Sequence, residues 1–277
     1  MDLAQPQTVE SIDAGPEPAF RKHWRGWAIV WMFAVILVAF YFVQVVVTLG
    51  IVFVRFGASI RDYALTHSQE ATVAYLRSPE LLARMLDPAT LFVIQLASTV
   101  ALVGLTLYLS RDVLSARLPD LGLGRALTWR TVLVGVLAGL VLLVLSATIE
   151  ALQDRLVGAH PQAILQVFMR HHGSLAFILD VGSVAVLAPF AEELFFRGFL
   201  FTGLVQRMQL GVAALLSGVL FGAAHLDFYN ILPLSVLGTG LAFVYYRTGT
   251  LWTNIVAHAT INGSQLALIF LFPHLAK

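Results

Sequence analysis

The sequence falls into about seven long apolar blocks separated by short polar connections. The first block, from Trp27 to Val54, has no charged residue and is long enough to cross a hydrocarbon core of about 30 Å. Further blocks run from about Thr90 to Ser110, Thr131 to Ile149, Leu175 to Gln206, Gly211 to Leu226, Ile231 to Tyr246 and Leu251 to Phe272. Strands of a membrane β-barrel alternate apolar and polar residues, whereas these runs are continuous, so the blocks are predicted to be helices.

The fold class predicted from this pattern is all-α, a polytopic transmembrane helical bundle with about seven to eight membrane helices. An eighth helix would arise if Pro189, which lacks a backbone N–H, separated the block from Leu175 to Gln206 into two. Residues 21–277 are expected to form a single membrane domain, and the acidic, proline-containing residues 1–20 a disordered tail. The composition agrees with membrane residence, because 58% of the 277 residues are hydrophobic and only 12% are charged.

Basic residues at the ends of the blocks predict the orientation of the chain. They cluster before the first block and in the connection between the second and third, at Arg21, Lys22 and Arg25, and at Arg111, Arg117, Arg125 and Arg130. Cytoplasmic connections are enriched in such residues, so the N-terminus of this multi-pass protein is expected in the cytoplasm. The sequence shows no signal that would identify an organelle, which favours a prokaryotic plasma membrane. The net charge of +1 gives no indication of nucleic-acid binding, and the absence of cysteine excludes disulfides and a cysteine nucleophile.

Two adjacent acids interrupt an apolar block at Glu192 and Glu193. A charged side chain at membrane depth costs about 2.5–3.5 kcal/mol on insertion scales, so each acid needs a partner or a function. Glu193 and Arg197 are four residues apart on one helical face, which predicts an ion pair with a structural role. Glu192 has no basic residue three or four positions away, so its partner is expected on another helix.

Two further apolar blocks each contain a histidine motif. One has Phe221 followed by His225, and the other has His258 followed by Asn262 one helical turn later. Glu192 and His225 are each about sixteen residues from a turn near residues 208–209, so an antiparallel hairpin would bring them to one depth. The same counting places His258 opposite residue 240, which leaves its depth relative to His225 open.

Each of these residues also has a purely structural interpretation. A single membrane histidine is often just hydrogen-bonded to a neighbouring helix, and Phe221 is interpreted as a packing residue. Together, however, a carboxylate without a local partner, two imidazoles and an amide favour a polar site over packing alone. His160, His171 and His172 lie in a polar connection and are expected to be solvated surface residues.

The chemistry of this set suits peptide hydrolysis. A glutamate beside a histidine can hold and deprotonate a water molecule, while a second histidine and an amide can stabilise the oxyanion formed at the carbonyl. The ordered motifs, Glu192-Glu193 with Arg197, then Phe221 with His225, then His258 with Asn262, resemble those of the CAAX protease and bacteriocin-processing family. The helices that carry them cover about residues 176–270.

The resemblance implies an intramembrane endopeptidase with a glutamate base. Glu192 would be that base, His225 would help to hold its water, His258 and Asn262 would form the oxyanion site, and Glu193, Arg197 and Phe221 would support them. Relatives either cleave prenylated CAAX proteins or are implicated in peptide processing, self-immunity or scaffolding. The expected partners are therefore the lipid bilayer and a membrane-associated peptide or lipidated protein.

Three alternatives stay open at this stage. No cofactor is expected, but Glu192, His225 and His258 would also make a plausible zinc site. The polar residues could instead belong to a catalytically silent scaffold or bacteriocin self-immunity protein, in which they fix helix packing. They could also mark the proton pathway of a proton-coupled transporter. The sequence does not distinguish among substrates or oligomeric states.

Overall fold

The computed structural model describes residues 24–158, 168 and 173–271, and its regular elements are helices. The expected tail at residues 1–20 and the connection containing His160, His171 and His172 lie outside the described residues. The first half contains α1 (Gly26–Thr66), α2 (Gln69–Leu76), α3 (Pro79–Met85), α4 (Pro88–Leu114), a 3₁₀ turn (Leu118–Leu121) and α5 (Trp129–Val157). The second half contains α6 (Ser174–Val205), α7 (Leu210–Ala223), α8 (Ile231–Thr248) and α9 (Leu251–Leu271).

The helical membrane bundle predicted from the sequence is confirmed. Within the described residues, five helices are long and apolar enough to cross a membrane, namely α1, α4, α5, α6 and α9. The remaining two predicted blocks form α7 and α8, which fall outside that set. With 14 residues, α7 is about 21 Å long and too short for a hydrocarbon core of about 30 Å.

Pro189 lies inside α6 and does not divide it. It belongs to the segment Ala188–Glu193, between π-helical stretches at Val181–Leu187 and Leu194–Phe201. The N–H of Ala188 bonds to the carbonyl of Ser183, and in the same register the carbonyl of Val184 would need the N–H that Pro189 lacks. The side-chain amide of Asn262 on α9 donates to that carbonyl at 2.8 Å. A neighbouring helix therefore satisfies the backbone group that proline leaves unpaired.

Helix α7 packs closely along α8 because glycines line their contact. A Cβ atom on Gly218 would lie 2.2 Å from the side-chain oxygen of Thr239, and one on Gly222 would lie 2.7 Å from the carbonyl of Ile231. Small residues of this kind let the backbones of membrane helices approach each other. The contact fixes the position of α7, which ends next to His225.

The most deeply buried part of the bundle is the middle of α6, where every residue from Leu194 to Phe201 is buried. Aromatic rings from other helices pack on it, with Phe33 of α1 stacked on Phe195 and Phe221 of α7 edge-on to Phe196. The turn predicted near residues 208–209 is also present, since α6 ends at Val205 and α7 begins at Leu210. This packing surrounds the polar residues of α6 with α1, α4, α7, α8 and α9.

Candidate active site

The adjacent acids of α6 have different surroundings. The side chain of Glu193 is fully buried, whereas that of Glu192 is 21% exposed. Successive residues of a helix are rotated by about 100°, so the two carboxylates leave α6 on different faces. Each is the centre of its own cluster, and His258 contacts both.

Glu193 accepts hydrogen bonds from three side chains. Its Oε1 atom lies 2.8 Å from Nη1 of Arg197 and 2.8 Å from Nδ1 of His258. Its Oε2 atom accepts from Nδ2 of Asn254 at 3.1 Å. We refer to these four residues as the Glu193 network. The ion pair predicted between Glu193 and Arg197 is confirmed, and it is fully buried.

Arg197 is held on two further sides. Its Nη2 atom donates to the carbonyl of Gly238 on α8 at 2.9 Å, and its guanidinium carbon lies 4.6 Å from the centre of the Phe221 ring. A guanidinium above an aromatic face is attracted by the negative charge of that face. Phe221 is buried, as expected for a packing residue, and its ring also contacts the rings of His225 and His258.

Glu192 faces the two histidines. Its Oε2 atom lies 3.9 Å from Nε2 of His225 and 3.9 Å from Nε2 of His258. We refer to these three residues as the Glu192 triangle. The same oxygen is buried and has no hydrogen-bond partner among the described residues. The sequence-based expectation that Glu192 and His225 are neighbours is therefore confirmed.

The other ring nitrogen of each histidine determines its tautomer. Nδ1 of His225 lies 2.8 Å from the carbonyl of Phe221, which can only accept, so this nitrogen carries hydrogen. Nδ1 of His258 faces the ionised carboxylate of Glu193 in the same way. In the neutral form of each ring, the lone pair is then on Nε2, the atom that faces Glu192.

The hydrogen bond described for Asn262 runs to α6 and not to the Glu192 triangle. Its amide nitrogen donates to Val184 of α6, as described above. The nitrogen carries a second hydrogen, which is not needed for that bond. Asn262 thus has a clear structural contact, and its expected part in an oxyanion site stays a prediction.

Asn254 is a residue of the site that sequence reasoning missed. It is fully buried and donates to Glu193 and, at 2.7 Å, to the carbonyl of Leu241 on α8. Asn254, His258 and Asn262 recur at intervals of four residues, which places them along one face of α9. That polar stripe on an apolar helix was the signal that could have identified Asn254.

Two sides of the Glu192 triangle are longer than the usual separations between zinc ligands. Zinc ligands at about 2.0–2.2 Å in a tetrahedron lie about 3.3–3.6 Å from one another, shorter than the separations between Glu192 and either histidine. Within the part of the chain that the structure describes, no group of three histidine, aspartate, glutamate or cysteine residues is arranged to hold a metal ion. The donor atoms are of the right type, but their spacing does not fit.

Comparisons with known proteins converge on this part of the chain. A family model described as type II CAAX prenyl endopeptidase Rce1-like matches residues 174–264. A Bacillus subtilis protein named "Putative membrane peptidase YdiL" is 34% identical over 101 residues, which are 36% of this chain and 39% of that protein. The UPF0177 protein YxdF of Lactococcus lactis is 28% identical over 104 residues, 36% of this chain and 57% of that protein. No solved structure matches the chain significantly.

The matched region contains the residues of both clusters. The chain covers less than two thirds of the length of either curated relative. The family model leaves α1 to α5 unmatched, and within residues 174–264 lie α6, α7, α8 and most of α9, with every residue of the Glu193 network and the Glu192 triangle. Residues 174–264 of this chain are therefore similar to the type II CAAX prenyl endopeptidase Rce1-like family.

Proposed function

We propose that this protein is an intramembrane endopeptidase in which Glu192 activates a water molecule for attack on a peptide carbonyl. The observation that carries the proposal is the position of Glu192 Oε2, 3.9 Å from Nε2 of His225 and of His258. Each separation is too long for a direct hydrogen bond and is one that a single water molecule can bridge.

In the proposed reaction, Glu192 accepts one proton of the water and Nε2 of His225 accepts a hydrogen bond from the other. The water oxygen forms a bond to the carbonyl carbon of the substrate. The bond from that carbon to the peptide nitrogen then breaks, and the proton held by Glu192 passes to the departing amine. General base catalysis by a positioned side chain contributes about 10²–10⁴-fold to such reactions.

His258 is the proposed donor to the oxyanion. Nε2 of His258 would donate to the oxyanion when the ring carries a proton on both nitrogens, while Nδ1 stays bonded to the carboxylate of Glu193. Arg197 and Asn254 hold Glu193 in place, so the network fixes the ring that faces the substrate. Asn262 would contribute its second N–H to the same oxygen.

The proposed substrate is a membrane-associated peptide, either a prenylated CAAX-type protein or a bacteriocin or leader peptide. The family model is named for CAAX prenyl endopeptidases, and Glu192 and His258 lie on helices that are long and apolar enough to cross a membrane. We also propose that the end of the bundle containing the N-terminus of α1 is cytoplasmic. Arginines concentrate near that end, at positions 111, 117, 125, 130, 207 and 247.

We propose that the reaction needs no metal ion. The spacing of the Glu192 triangle supports this, because it is wider than that of tetrahedral zinc ligands. The alternative is a zinc enzyme that uses the same three side chains. Cleavage that persists after exhaustive chelation would support the metal-free reaction, whereas loss of cleavage that zinc restores would support the alternative.

The test is cleavage of prenylated and unmodified peptides by the purified protein in lipid nanodiscs. Wild type is compared with Glu192→Gln, which preserves shape and removes the base. Glu70→Gln is the matched control, since Glu70 is exposed in the first turn of α2. We expect full cleavage by wild type and by the control and a cleavage rate about 10²–10⁴-fold lower for Glu192→Gln, with all three proteins equally stable.

Equal cleavage by Glu192→Gln would refute the proposed base. If no peptide is cleaved by wild type, a scaffold or immunity protein becomes the better interpretation, and its biological effect should then survive Glu192→Gln. Proton-coupled uptake by vesicles that contain the protein, abolished by the same substitution, would instead indicate a transporter.

A further inference from the structure

His225 is presented by a connection rather than by a helix. Helix α7 ends at Ala223 and α8 begins at Ile231, and we call residues 224–230 between them the His225 loop. Leu226, directly after the histidine, has a φ of 54°, in the left-handed region that residues with a side chain rarely adopt. The backbone therefore turns sharply at this point, and contacts from elsewhere must hold that turn in place.

The far end of the loop is attached to α5 through Tyr229. The Tyr229 hydroxyl donates to Oδ1 of Asp154 and lies 2.9 Å from the carbonyl of Gly158, at the end of α5. In the opposite direction, Nε2 of Gln153 donates to the carbonyl of Tyr229 at 2.6 Å. Polar contacts thus join one loop residue to the last turn of α5.

The near end of the loop is attached to α1, because the hydroxyl of Tyr41 donates to the carbonyl of Ala224. Between the two attachments, Asp227 bonds to the loop itself. Its Oδ1 atom accepts from the backbone N–H of Tyr229 at 3.1 Å, and its Oδ2 atom accepts from Nδ2 of Asn230 at 2.7 Å. The loop is internally tied and is held at both ends.

His225 itself has weaker support. The hydrogen bond described for its ring runs to Phe221 of the preceding turn, and its side chain is 34% exposed. The 3.9 Å between its Nε2 atom and Glu192 therefore depends on where the loop places the backbone. We propose that Tyr229 and Asp154 form a brace that positions His225 against Glu192, an inference that rests on the proposed peptidase function.

The brace joins the candidate active site to a different part of the chain. Tyr229 lies inside the segment matched by the family model, whereas Asp154 and Tyr41 lie outside it. Helices α1 and α5 would then do more than span the membrane, because they would set the geometry of a catalytic histidine. The hydrogen bond to Asp154 also raises the pKa of Tyr229 to about 12, so the hydroxyl keeps its proton at any ordinary assay pH.

The test compares Tyr229→Phe and Asp154→Ala with wild type in lipid nanodiscs. Tyr108→Phe is the matched control, because it removes a tyrosine hydroxyl from an exposed position on α4. Hydrogen exchange measured by mass spectrometry reports on the amides of residues 224–230 without any need for activity. Peptide cleavage gives kcat and KM for each protein, and the same substitutions are repeated in a His225→Ala background.

We expect loop amides in Tyr229→Phe to exchange about tenfold faster, with no change in α6. We expect kcat to fall about tenfold with KM nearly unchanged, because a small displacement of a catalytic group slows the chemical step. In the His225→Ala background, Tyr229→Phe should have no further effect, since residues that act through one another are not additive. Asp154→Ala, which removes the acceptor of the Tyr229 hydroxyl, should behave like Tyr229→Phe, and Tyr108→Phe like wild type.

Unchanged loop exchange in Tyr229→Phe would overturn the brace, and so would faster exchange with full activity. An equal loss of kcat in the presence and absence of His225 would show that Tyr229 acts by another route. These outcomes differ from failure of the proposed function, which would appear as cleavage by Glu192→Gln or as no cleavage by wild type. In the latter case the exchange measurement still decides whether Tyr229 holds the loop.

Discussion

The Glu193 network and the Glu192 triangle contain adjacent residues of one helix, yet the hydrogen bonding of the two carboxylates is opposite. In the network, both oxygens of Glu193 receive hydrogen bonds and a buried arginine balances the charge. In the triangle, Glu192 Oε2 is buried near two imidazoles and receives no hydrogen bond from the described residues. The partners of Glu193 therefore use its hydrogen-bonding oxygens, whereas Glu192 Oε2 can still bind another group.

This difference distinguishes Glu193, whose role is structural support, from Glu192, which is available for a reaction. A buried charge is tolerated in a membrane helix when partners compensate it, which explains Glu193 without any reaction. A buried polar atom without a partner needs another explanation, and catalysis is a common one. His258 links the two clusters, because one ring nitrogen belongs to the network and the other faces Glu192.

The largest loss of stability is expected from Arg197→Ala. The substitution leaves the Glu193 carboxylate buried without its cation, and breaking a buried pair in this way costs about 3–5 kcal/mol. The change in stability is measured by unfolding the protein in detergent while its helical content is recorded. Arg111→Ala, at an exposed position, is the control and should behave like wild type. A stable Arg197→Ala protein would show that the network is not structural.

A smaller loss is expected from Asn254→Ala. It removes the donor to Glu193 and to the carbonyl of Leu241, and an unsatisfied buried acceptor costs about 1–3 kcal/mol. Because Glu193 holds His258, cleavage should decrease as well. Unfolding and kcat measured on the same preparation check both effects. Wild-type values for both would exclude Asn254 from the network.

Asn262→Ala tests whether the side-chain amide of Asn262 stabilises α6. We expect a loss of about 1 kcal/mol, because the carbonyl of Val184 loses its donor. The loss should shrink in a Pro189→Ala background, where an alanine N–H becomes available to the same carbonyl. A double-mutant cycle on unfolding measures this coupling. Strict additivity of the two substitutions would contradict the explanation given for Asn262.

The smallest effect is expected at Asp87, far from both clusters, at the start of α4. Partial burial opposes ionisation there, but hydrogen bonds from Thr90 and Arg55 prevail and hold the pKa of Asp87 below its usual value. A lowered folded-state pKa stabilises the protein at neutral pH, and that contribution is lost as the pH falls below about 4. Asp87→Asn should therefore reduce stability slightly at pH 7 and by less at pH 3, as measured by thermal unfolding. An equal effect at both values would refute this assignment.

Much of the fold followed from the sequence because the apolar blocks are continuous and the turns between them are short. Counting residues from one turn correctly paired Glu192 with His225, and spacing alone paired Glu193 with Arg197. The number of spans was harder to predict, since α7 is as apolar as its neighbours and ends after 14 residues. Pro189 was ambiguous because its effect depends on Asn262, which is distant in sequence.

The position of His258 could not be obtained by counting. Its depth depends on how α8 and α9 pack, and Asn254 fixes that packing by bonding to Leu241. His258 lies one helical turn further along α9, where it reaches both glutamates. The attachment of the His225 loop to α5 was equally inaccessible, because Tyr229 and Asp154 are separated by 75 residues and share no motif.

The most direct test of the account is a paired measurement of Glu192→Gln and Glu193→Gln, with unfolding and peptide cleavage recorded for each protein. The account predicts that Glu192→Gln unfolds like wild type and loses about 10²–10⁴-fold in cleavage rate, as expected when a general base is removed. It predicts that Glu193→Gln is clearly destabilised, because Arg197 loses its counter-ion. Full cleavage by Glu192→Gln, or wild-type stability of Glu193→Gln, would contradict it.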